Sequence, residues 1–485
     1  MSYNCNIYSI LAIILFSVFY LSCNDNKSEI IIDETFKNEI VVQKIKIDSV
    51  WSGHRVKFSL LTHENRQYIA YYNANRNMVV GQRELSKDNF DLYQMPAPKR
   101  LKNAEYKRGR ISSTEVGWDS HNSLTLAVDK KGYIHLSGNM HVDTLTYFRT
   151  KKPEDISTLT QHFPMVGPNE LKATYPKFMY NKDQDLVFHY RDGGSGNGNE
   201  IYNIYSTEDK SWTRMLDVPL TDGQGLMNAY QSQPTLGPDG WYHLYWVWRD
   251  TPDCSTNHDL SYMKSPDLIN WYDAFNESIS LPATLDKKSL IVDPIPPKGG
   301  IINLAAKLCF DQNKNPLFVY HKYDQKGNLQ LYIANLDKGV WKYHVITDWD
   351  YRWEFSGNGS IKSEFRLQNF DRRADGFFEV GYWHIKYGYG TILLDNELNP
   401  VGKVIKPNQL FKTYYISEKN NSETKLEGDF PGLGIRTSQD DGKKDDTNTR
   451  FVLKWETLDS NRDRPREKPW PPPSNLYLYK LKSNR

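Results

Sequence analysis

Hydrophobic and polar positions along this chain follow one short plan that recurs. Each copy has an apolar strand, a tight polar turn and a second strand in which aromatic and polar residues alternate. The clearest copy is Leu124–Ser137, with its turn at Asp129–Gly132. Alternation with a period of two around turn residues predicts β-hairpins. Further copies turn at Asn181–Asp185, Gly237–Gly240, Asp311–Asn315 and Glu64–Arg66, and a weaker one lies near Asp371–Phe378.

The spacing of these turns predicts how the hairpins assemble. They lie roughly 50–75 residues apart, which suits the blades of a β-propeller with some long loops. We therefore expect one all-β domain over residues 46–485, with functional side chains converging at a central funnel. Aromatic residues make up 13% of the chain, and most are expected to pack between blades. The net charge of +2 gives no indication of a nucleic-acid partner.

The N-terminus carries an export signal. Residues Ile7–Tyr20 are apolar but short for a membrane span, and Leu21–Cys23 resembles a bacterial lipoprotein cleavage box. We predict that residues 1–23 are a lipoprotein signal peptide and that Cys23 is lipidated. The protein would then be exported and anchored to the outer membrane, on its periplasmic or cell-surface side. A plain signal peptide or anchor is the alternative, and residues 24–45 are predicted to be a polar tether.

The C-terminal part contains two irregular stretches and a final strand. Lys419–Asp446 is rich in polar residues and glycine and is predicted to be a long surface loop. Pro469–Pro473 is predicted to be rigid. The alternating segment Asn475–Leu481 is expected to be the last strand and to close the ring by pairing with the first blade.

Two cysteines lie in the part of the chain that is predicted to fold. Cys254 and Cys309 could form a disulfide in an exported protein, or they could be buried thiols. They could also bind a structural metal together with a histidine such as His258 or His321. Their spacing does not decide among these three interpretations.

The densest polar cluster lies at the two ends of the clearest hairpin. His121 precedes its first strand and His141 follows its second strand, within the motifs GWDSHN and SGNMH. Because the entry and exit of a hairpin are neighbours, both imidazoles should lie at one end of one blade. Such a pair can transfer protons or hold a metal, whereas a lone histidine there would more often cap a strand.

The following blades repeat this placement with other polar residues. Tyr175 and Arg191 occupy the corresponding positions on the next blade. The one after it brings Tyr230, Arg249 and His258 toward the centre. His321 and Lys322 follow on a further blade. The motif GGSGNG after Arg191 lacks the lysine and helix of a phosphate-binding loop, so we expect its glycines to let the backbone pass close to Arg191 or a substrate.

Tyrosine, histidine and arginine together suit β-elimination from a uronic acid. Arginine and hydrogen-bond donors neutralise the carboxylate next to C5, so that negative charge can build up on it in the transition state. A tyrosine or histidine then removes the C5 proton, and a second one protonates the O4 leaving group. Most glycosidases instead need two carboxyl groups. Asp119 and Asp192 lie in turn-like motifs and are expected to organise loops.

The motifs also resemble a known family. WSGHRVKF, GWDSHN, TYPKF, YRDGGSGNG, TNHDLSY and WETLDSNRDRPR, in this order, resemble the BNR-repeat family of seven-bladed propellers, which contains the ulvan lyases of polysaccharide lyase families 24 and 25. The resemblance runs from about Val50 to the C-terminus. It implies a seven-bladed propeller that cleaves ulvan, a sulfated polysaccharide of rhamnose and uronic acid, by β-elimination.

The resemblance also implies roles for individual residues. His121 and Tyr175 correspond to the catalytic acid/base pair of the family. The group that neutralises the carboxylate corresponds to His141, Arg191, Tyr230 and His258. No cofactor is required for the chemistry. A structural zinc occurs in some members, but its ligands cannot be placed on this sequence.

Three alternative functions fit the same scaffold. One is an oligosaccharide dehydratase that removes water from a uronate at the non-reducing end. Another is an α-L-rhamnosidase with a histidine on the opposite face, for which His54 is the candidate, although the motif SGHRVKF favours a structural role for His54. The third is a glycan-binding lipoprotein without turnover.

Overall fold

The computed structural model describes residues 29–35, 37–98, 102–303, 306–406, 410, 425–442 and 448–483. The predicted signal peptide and Cys23 lie outside these residues. The described part is built of short strands and four single-turn 3₁₀ helices, at Ala104–Tyr106, Ile156–Thr158, Cys254–Thr256 and Lys288–Leu290. None of the helices described is long and apolar enough to cross a membrane. The all-β prediction is therefore confirmed.

Most strands of the first half of the chain form successive antiparallel hairpins, whereas the first two pair with strands near the C-terminus. They are β1 (Ile30–Asp33), β2 (Glu39–Val50), β3 (Ser59–His63), β4 (Arg66–Tyr72), β5 (Met78–Glu84), β6 (Asp91–Gln94), β7 (Leu124–Val128), β8 (Ile134–Gly138), β9 (His141–Asp143), β10 (Tyr147–Thr150), β11 (Leu159–Gln161), β12 (Ala173–Tyr180), β13 (Leu186–Gly194), β14 (Asn197–Ser206) and β15 (Ser211–Arg214).

The second half continues the same pattern. Its strands are β16 (Asn228–Gln231), β17 (Thr235–Leu236), β18 (Tyr242–Arg249), β19 (Asn257–Ser265), β20 (Trp271–Tyr272), β21 (Ser278–Ile279), β22 (Ile291–Asp293), β23 (Lys307–Phe310), β24 (Pro316–Tyr323), β25 (Leu329–Asp337), β26 (Val340–Val345), β27 (Phe365–Arg372), β28 (Phe378–His384), β29 (Gly388–Leu394), β30 (Pro400–Ile405), β31 (Leu433–Gln439), β32 (Thr449–Leu458) and β33 (Ser474–Ser483).

These strands pair into six hydrogen-bonded sheets. Three contain four consecutive or nearly consecutive strands, in the orders β3-β4-β5-β6, β11-β10-β8-β7 and β23-β24-β25-β26. A five-stranded sheet has the order β1-β30-β29-β28-β27, and the last sheet has the order β2-β33-β32-β31. The sixth has twelve strands, and its two antiparallel halves meet through one parallel pair, Gly198 opposite Asn228.

All six turns predicted from the sequence connect paired antiparallel strands. In the hairpin of β7 and β8, the Asp129 carboxylate accepts the backbone N–H groups of Lys131 and Tyr133, and Gly132 adopts a φ of +80°. This is the reason for glycine at that position, because residues with a side chain rarely adopt positive φ. The turn residues thus fix where each hairpin reverses.

The N-terminal boundary of the folded domain was predicted too far along the chain. Within the predicted tether of residues 24–45, β1 pairs with β30 in parallel and most of β2 pairs with β33. Along β2 the exposed Lys44 and Lys46 alternate with the buried Ile45 and the half-buried Ile47, so β2 is a strand of polar composition that is covered on one face only. The polar tether is therefore wrong for residues 30–33 and 39–45.

The last sheet joins the two ends of the chain. The predicted final strand is confirmed as β33, although its partner is β2, which completes the last sheet rather than the first. The predicted surface loop Lys419–Asp446 is wrong at Leu433–Gln439, which forms β31 with Ile435 buried. Phe58, at the start of the first sheet, stacks on Trp455 of β32 at 4.4 Å between ring centroids. This aromatic contact packs the first sheet against the last one.

Candidate functional site

Two histidines meet at one end of the β7–β8 hairpin, as the sequence predicted. The imidazole centroids of His121 and His141 are 4.2 Å apart. One carboxylate bridges them, since His121 Nδ1 lies 2.7 Å from Asp119 Oδ1 and His141 Nδ1 lies 2.6 Å from Asp119 Oδ2. Both rings keep about a fifth of their surface exposed, at 21% for each side chain. Asp119 therefore orients both imidazoles, which is more specific than the loop-organising role expected for it.

A second carboxylate supports His121 from the far end of the chain. Asp463 is buried and lies 3.3 Å from His121 Nδ1. It also accepts hydrogen bonds from the hydroxyl groups of Ser120, at 2.7 Å, and Ser360, at 3.0 Å. Asp463 lies in the motif WETLDSNRDRPR, from which no role for it was predicted. Nothing local signals the role, because Ser120 and Asp463 are 343 positions apart.

The two imidazoles that share the Asp119 carboxylate differ in charge. Burial lowers the pKa of His121, but the Tyr175 phenol, Asp119 and Asp463 outweigh it, and the net direction is upward. For His141, burial together with the positive charge of His121 outweighs the hydrogen bond to Asp119, and its pKa is lowered. At neutral pH the pair thus holds one imidazolium, His121, next to one neutral imidazole, His141.

Two tyrosines extend this cluster along the sheet. The Tyr175 ring centroid lies 5.8 Å from that of His121 and 6.3 Å from that of Tyr230. Tyr175 sits at a register shift between Thr174 and Lys177, and its φ is +56°. Such left-handed backbone is rare for a residue with a large side chain and marks a locally constrained position. The irregular strand thus places the Tyr175 ring between His121 and Tyr230.

The two predicted arginines lie against the tyrosines. The Arg191 guanidinium is 5.0 Å from the Tyr175 ring and 5.7 Å from the Tyr230 ring. Arg249 donates from Nη1 to the Tyr230 hydroxyl at 3.1 Å. The motif GGSGNG forms the turn between β13 and β14, and a Cβ at Gly198 would lie 2.9 Å from Arg191 Cδ. Glycine is thus required there because the Arg191 side chain occupies the space.

Both ring nitrogens of His258 are engaged by carboxylates of the protein. Its Nδ1 lies 2.9 Å from Asp259 Oδ2 and its Nε2 lies 2.8 Å from Asp250 Oδ1. Burial lowers the pKa of His258, but the two carboxylates outweigh it and raise the pKa. Both ring nitrogens of His258 thus face carboxylates, and its predicted part in neutralising a substrate carboxylate stays a prediction.

A cavity of about 610 Å³ opens in front of the cluster. Its wall includes His121, His141, Tyr175 and Tyr230, whereas Arg191 lies behind the two tyrosines. The other charged side chains of the wall are the cations Arg108, Arg249, Lys307 and Arg366 and a single carboxylate, that of Asp463. His321 contributes a neutral ring on a farther part of the wall, because burial lowers its pKa to about 4. The cavity is thus strongly cationic in a chain with a net charge of +2.

The two cysteines are buried thiols, and no disulfide joins them. Cys254 and Cys309 do not combine with His258 or His321 into a group of three metal ligands among the residues described. One such group exists there, formed by Asp119, His121 and His141. Its carboxylate lies at hydrogen-bond distance from both Nδ1 atoms. The structural zinc stays a prediction.

His54 lies in an aromatic cluster rather than in a cavity wall. Trp51 Nε1–H donates to His54 Nδ1 at 2.9 Å, and the His54 ring centroid is 5.5 Å from that of Trp118. Burial lowers the pKa of His54 to about 3. Arg76 stacks on the same tryptophans, with its guanidinium 3.8 Å from the Trp51 ring. These contacts give His54 a packing role.

Comparison with known proteins agrees with the repeated hairpin plan. Residues 66–349 match the model of the BNR repeat-containing family. The chain belongs to this family. No curated protein matches the BNR-family chain.

Solved structures resemble the BNR-family chain over nearly its whole length. The polysaccharide lyase Uly1 has 13% sequence identity and a TM-score of 0.58, and the match covers 91% of this chain and 99% of that one. A PL25 ulvan lyase has 13% identity and a TM-score of 0.55, covering 91% of this chain and 96% of that one. The same type of lyase bound to -[GlcA(1-4)Rha3S]- has 12% identity, a TM-score of 0.55 and the same two coverages. At these identities the likeness shows a shared fold.

Proposed function

We propose that this protein is a carbon–oxygen lyase that acts by β-elimination on uronic acid residues of ulvan or ulvan oligosaccharides. The observation that carries the proposal is the charge of the cavity wall, which has four arginine or lysine side chains and one carboxylate. Such a wall suits a polyanionic sugar chain. The likeness in fold to polysaccharide lyases supports the same substrate class.

The arrangement of carboxylates argues against a conventional glycosidase. Retaining and inverting enzymes usually need two carboxyl groups facing the scissile bond. The one carboxylate in the cavity wall, Asp463, is occupied by Ser120, Ser360 and His121. Asp119 is occupied by both histidines. Neither is free to act as a nucleophile or to activate water, whereas elimination needs no carboxylate from the enzyme.

We propose distinct tasks for the site residues. Arg249 would hold and neutralise the uronate carboxylate from the cavity wall. Arg191 would add its charge from behind the tyrosines. His121 and Tyr175 would be the proton-transfer pair, in which the His121 imidazolium donates to O4 as the C4–O4 bond breaks. The electron pair of the C5–H bond becomes the C4=C5 double bond of the product.

The scaffold proposed for this site is a seven-bladed β-propeller. The twelve-stranded sheet divides at the single parallel pair between Gly198 and Asn228 into two antiparallel units, one around β12–β15 and one around β18–β20. Together with the five other sheets this gives seven units. Since the last sheet contains the N-terminal β2, the two ends of the chain would close the ring.

The proposed location is the outer membrane of a bacterium, with the protein anchored through a lipid on Cys23. A polar segment would then separate the lipid from the first strand, β1. Fractionation of cells that express wild type and Cys23→Ser tests this. The wild-type protein is expected in the membrane fraction and the variant in the soluble one, whereas equal distribution would contradict lipid anchoring.

Incubation with ulvan and with ulvan oligosaccharides tests the activity. Elimination produces an unsaturated uronate, whose ultraviolet absorbance rises with time, and the product mass distinguishes chain cleavage from loss of water. His121→Ala should remove about 10²- to 10⁴-fold of the rate. His344→Ala is the matched control, because His344 lies on β26 and bonds to Asn335 outside the cavity. No absorbance change with either substrate would refute the lyase proposal.

A further inference from the structure

Two buried guanidinium groups in the site have no carboxylate partner. Arg191 and Arg249 are 1% and 5% exposed, and within the residues described neither forms an ion pair. Arg191 donates from Nε to the Gly193 carbonyl at 3.3 Å, and neither of its terminal nitrogens has a partner there. Arg249 donates to the carbonyls of Thr251 and Pro252. Arg249 interacts electrostatically with Asp253, but among the described residues no carboxylate lies within ion-pair distance of either guanidinium. Burying positive charge without a directly paired anion is costly, so the site favours an anion between the two arginines.

Tyr230 lies between these two charges. Its ring is 5.7 Å from the Arg191 guanidinium and 5.3 Å from that of Arg249. Its hydroxyl accepts a hydrogen bond from Arg249 Nη1 at 3.1 Å and lies 2.9 Å from the Ser195 hydroxyl. The phenol oxygen thus accepts from one guanidinium and shares a second hydrogen bond with a hydroxyl, and the Tyr230 ring also lines the cavity.

The other titratable groups near Tyr230 do not supply the missing negative charge. Glu200 lies opposite Arg191 on the neighbouring strand, but burial raises its pKa to about 8, so it is mostly protonated at neutral pH. Tyr175 is the ring next to Tyr230. Burial raises its pKa, and the neighbouring His121 and Arg191 do not reverse this direction. His121 itself is a cation on the far side of Tyr175.

We propose that Tyr230 is the tyrosine that ionises in this site and that its phenolate is the base that takes the C5 proton, while Tyr175 stays protonated. The role of Tyr230 as the base rests on the proposed lyase function, whereas its ionisation in the free protein does not. The pKa directions agree with the geometry. Burial raises the pKa of Tyr230, but Arg191 and Arg249 outweigh it, and the net direction is downward.

The elimination step balances with these groups. The C5 proton moves to the Tyr230 oxygen, and the electron pair of the C5–H bond forms the C4=C5 double bond. The C4–O4 bond breaks with its electron pair on O4, which takes a proton from the His121 imidazolium. Tyr230 and His121 both end neutral. Tyr175 lies between them, so its hydroxyl can return the proton from Tyr230 to His121 and restore the starting state.

A spectroscopic titration of the free protein tests the ionisation without any substrate. The near-ultraviolet absorbance of tyrosinate is followed against pH in the wild type, Tyr230→Phe, Tyr175→Phe and Arg249→Gln. An ordinary tyrosine titrates near a pKa of about 10. We expect the wild type to show one tyrosine that ionises at lower pH. That component should be lost in Tyr230→Phe, kept in Tyr175→Phe and moved to higher pH in Arg249→Gln.

The outcomes separate this inference from the lyase proposal. A low-pH component that persists in Tyr230→Phe, or that disappears in Tyr175→Phe, overturns the assignment. If Tyr230→Phe does not fold, the Arg249→Gln shift decides, and an unmoved component overturns the role of the guanidinium. If the titration follows expectation but Tyr230→Phe keeps wild-type turnover on ulvan, Tyr230 is the counter-ion and its role as base is overturned.

Discussion

Replacing Asp119 by asparagine tests how this site divides charge between its histidines. The change keeps the shape of the side chain, and one carbonyl oxygen can still accept an N–H from one imidazole. The other position becomes an NH₂ group that faces a ring nitrogen formerly bonded to a carboxylate oxygen. That imidazole must turn its lone pair toward residue 119. We expect the variant to lose about 10²- to 10⁴-fold of the elimination rate, since the proton donor loses both its charge and its orientation.

The effect on stability follows from the same two contacts. Asp119 accepts at 2.7 Å from His121 and at 2.6 Å from His141, and hydrogen bonds to charged groups each stabilise a fold by about 1.5–3 kcal/mol. Because the amide keeps one acceptor, the expected destabilisation is about 2–3 kcal/mol. His121 has a raised pKa, so its contribution is complete below its unfolded pKa of about 6.5 and is lost as the pH rises through its folded pKa.

Asp119 itself sets the lower limit of this pH window. Its pKa is lowered, because the hydrogen bonds from His121 and His141 outweigh burial, which alone would raise it. Its contribution is therefore present above the unfolded pKa of about 3.9 and is lost as the pH falls through the folded pKa. The difference in unfolding free energy between wild type and Asp119→Asn should be largest at about pH 4–6.5 and smaller in alkali.

Denaturant unfolding at several pH values and the unsaturated-uronate assay measure both effects. Asp143→Asn is the matched control, because Asp143 lies at the same end of this hairpin but forms a half-exposed ion pair with Arg110. Such pairs contribute about 0–1 kcal/mol. General acid–base groups contribute at least about 10²-fold to the rate. An Asp119→Asn variant that keeps more than about a tenth of the wild-type rate would therefore refute the reasoning. A loss of stability that does not vary with pH would also refute it.

Three further changes probe the rest of the site. Arg191→Lys should lower kcat more than it raises KM, because the charge that Arg191 stabilises grows toward the transition state; a change in KM alone would make it a ground-state clamp. Tyr175→Phe should lower turnover by about 10²-fold or more with an unchanged melting temperature, and an active variant would exclude Tyr175 from proton transfer. Glu200→Gln should remove the decline in stability between pH 4.5 and about 8, since the pKa of Glu200 is raised by burial; an unchanged slope in denaturant unfolding would contradict this.

Local signals in the sequence were enough to predict the hairpins and the histidine pair. Each turn carries its own chemistry, such as Asp129 with Gly132, and a hairpin brings its two ends together whatever surrounds it. This is why the proximity of His121 and His141 followed from spacing alone. The same reasoning placed Tyr175, Arg191 and Tyr230 at one end of successive hairpins, where the structure has them.

Contacts between distant parts of the chain could not be predicted in this way. β2 pairs with β33 from the opposite end of the chain, and β31 contacts the first sheet, where the Ser438 hydroxyl donates to the Phe58 carbonyl. The contacts of Asp463 depend on how the last sheet packs against the first ones. The partners of His258 could not be predicted either, because a position at a strand end does not tell which acidic neighbours its ring nitrogens contact.

The carboxylates and the guanidiniums of the site act on different proton-transfer groups. Asp119 and Asp463 are both occupied in holding His121, so the negative charge of the site serves to keep a proton on that imidazole. Arg191 and Arg249 form no ion pair within the described part of the chain, and their positive charge would act on Tyr230 in the free site and on the uronate carboxylate in the complex. Binding of that carboxylate would reduce the effect of the guanidiniums on Tyr230 and make its phenolate more basic. The charge that holds the substrate and the charge that tunes the base are therefore the same, and substrate binding itself would prepare the C5 proton transfer.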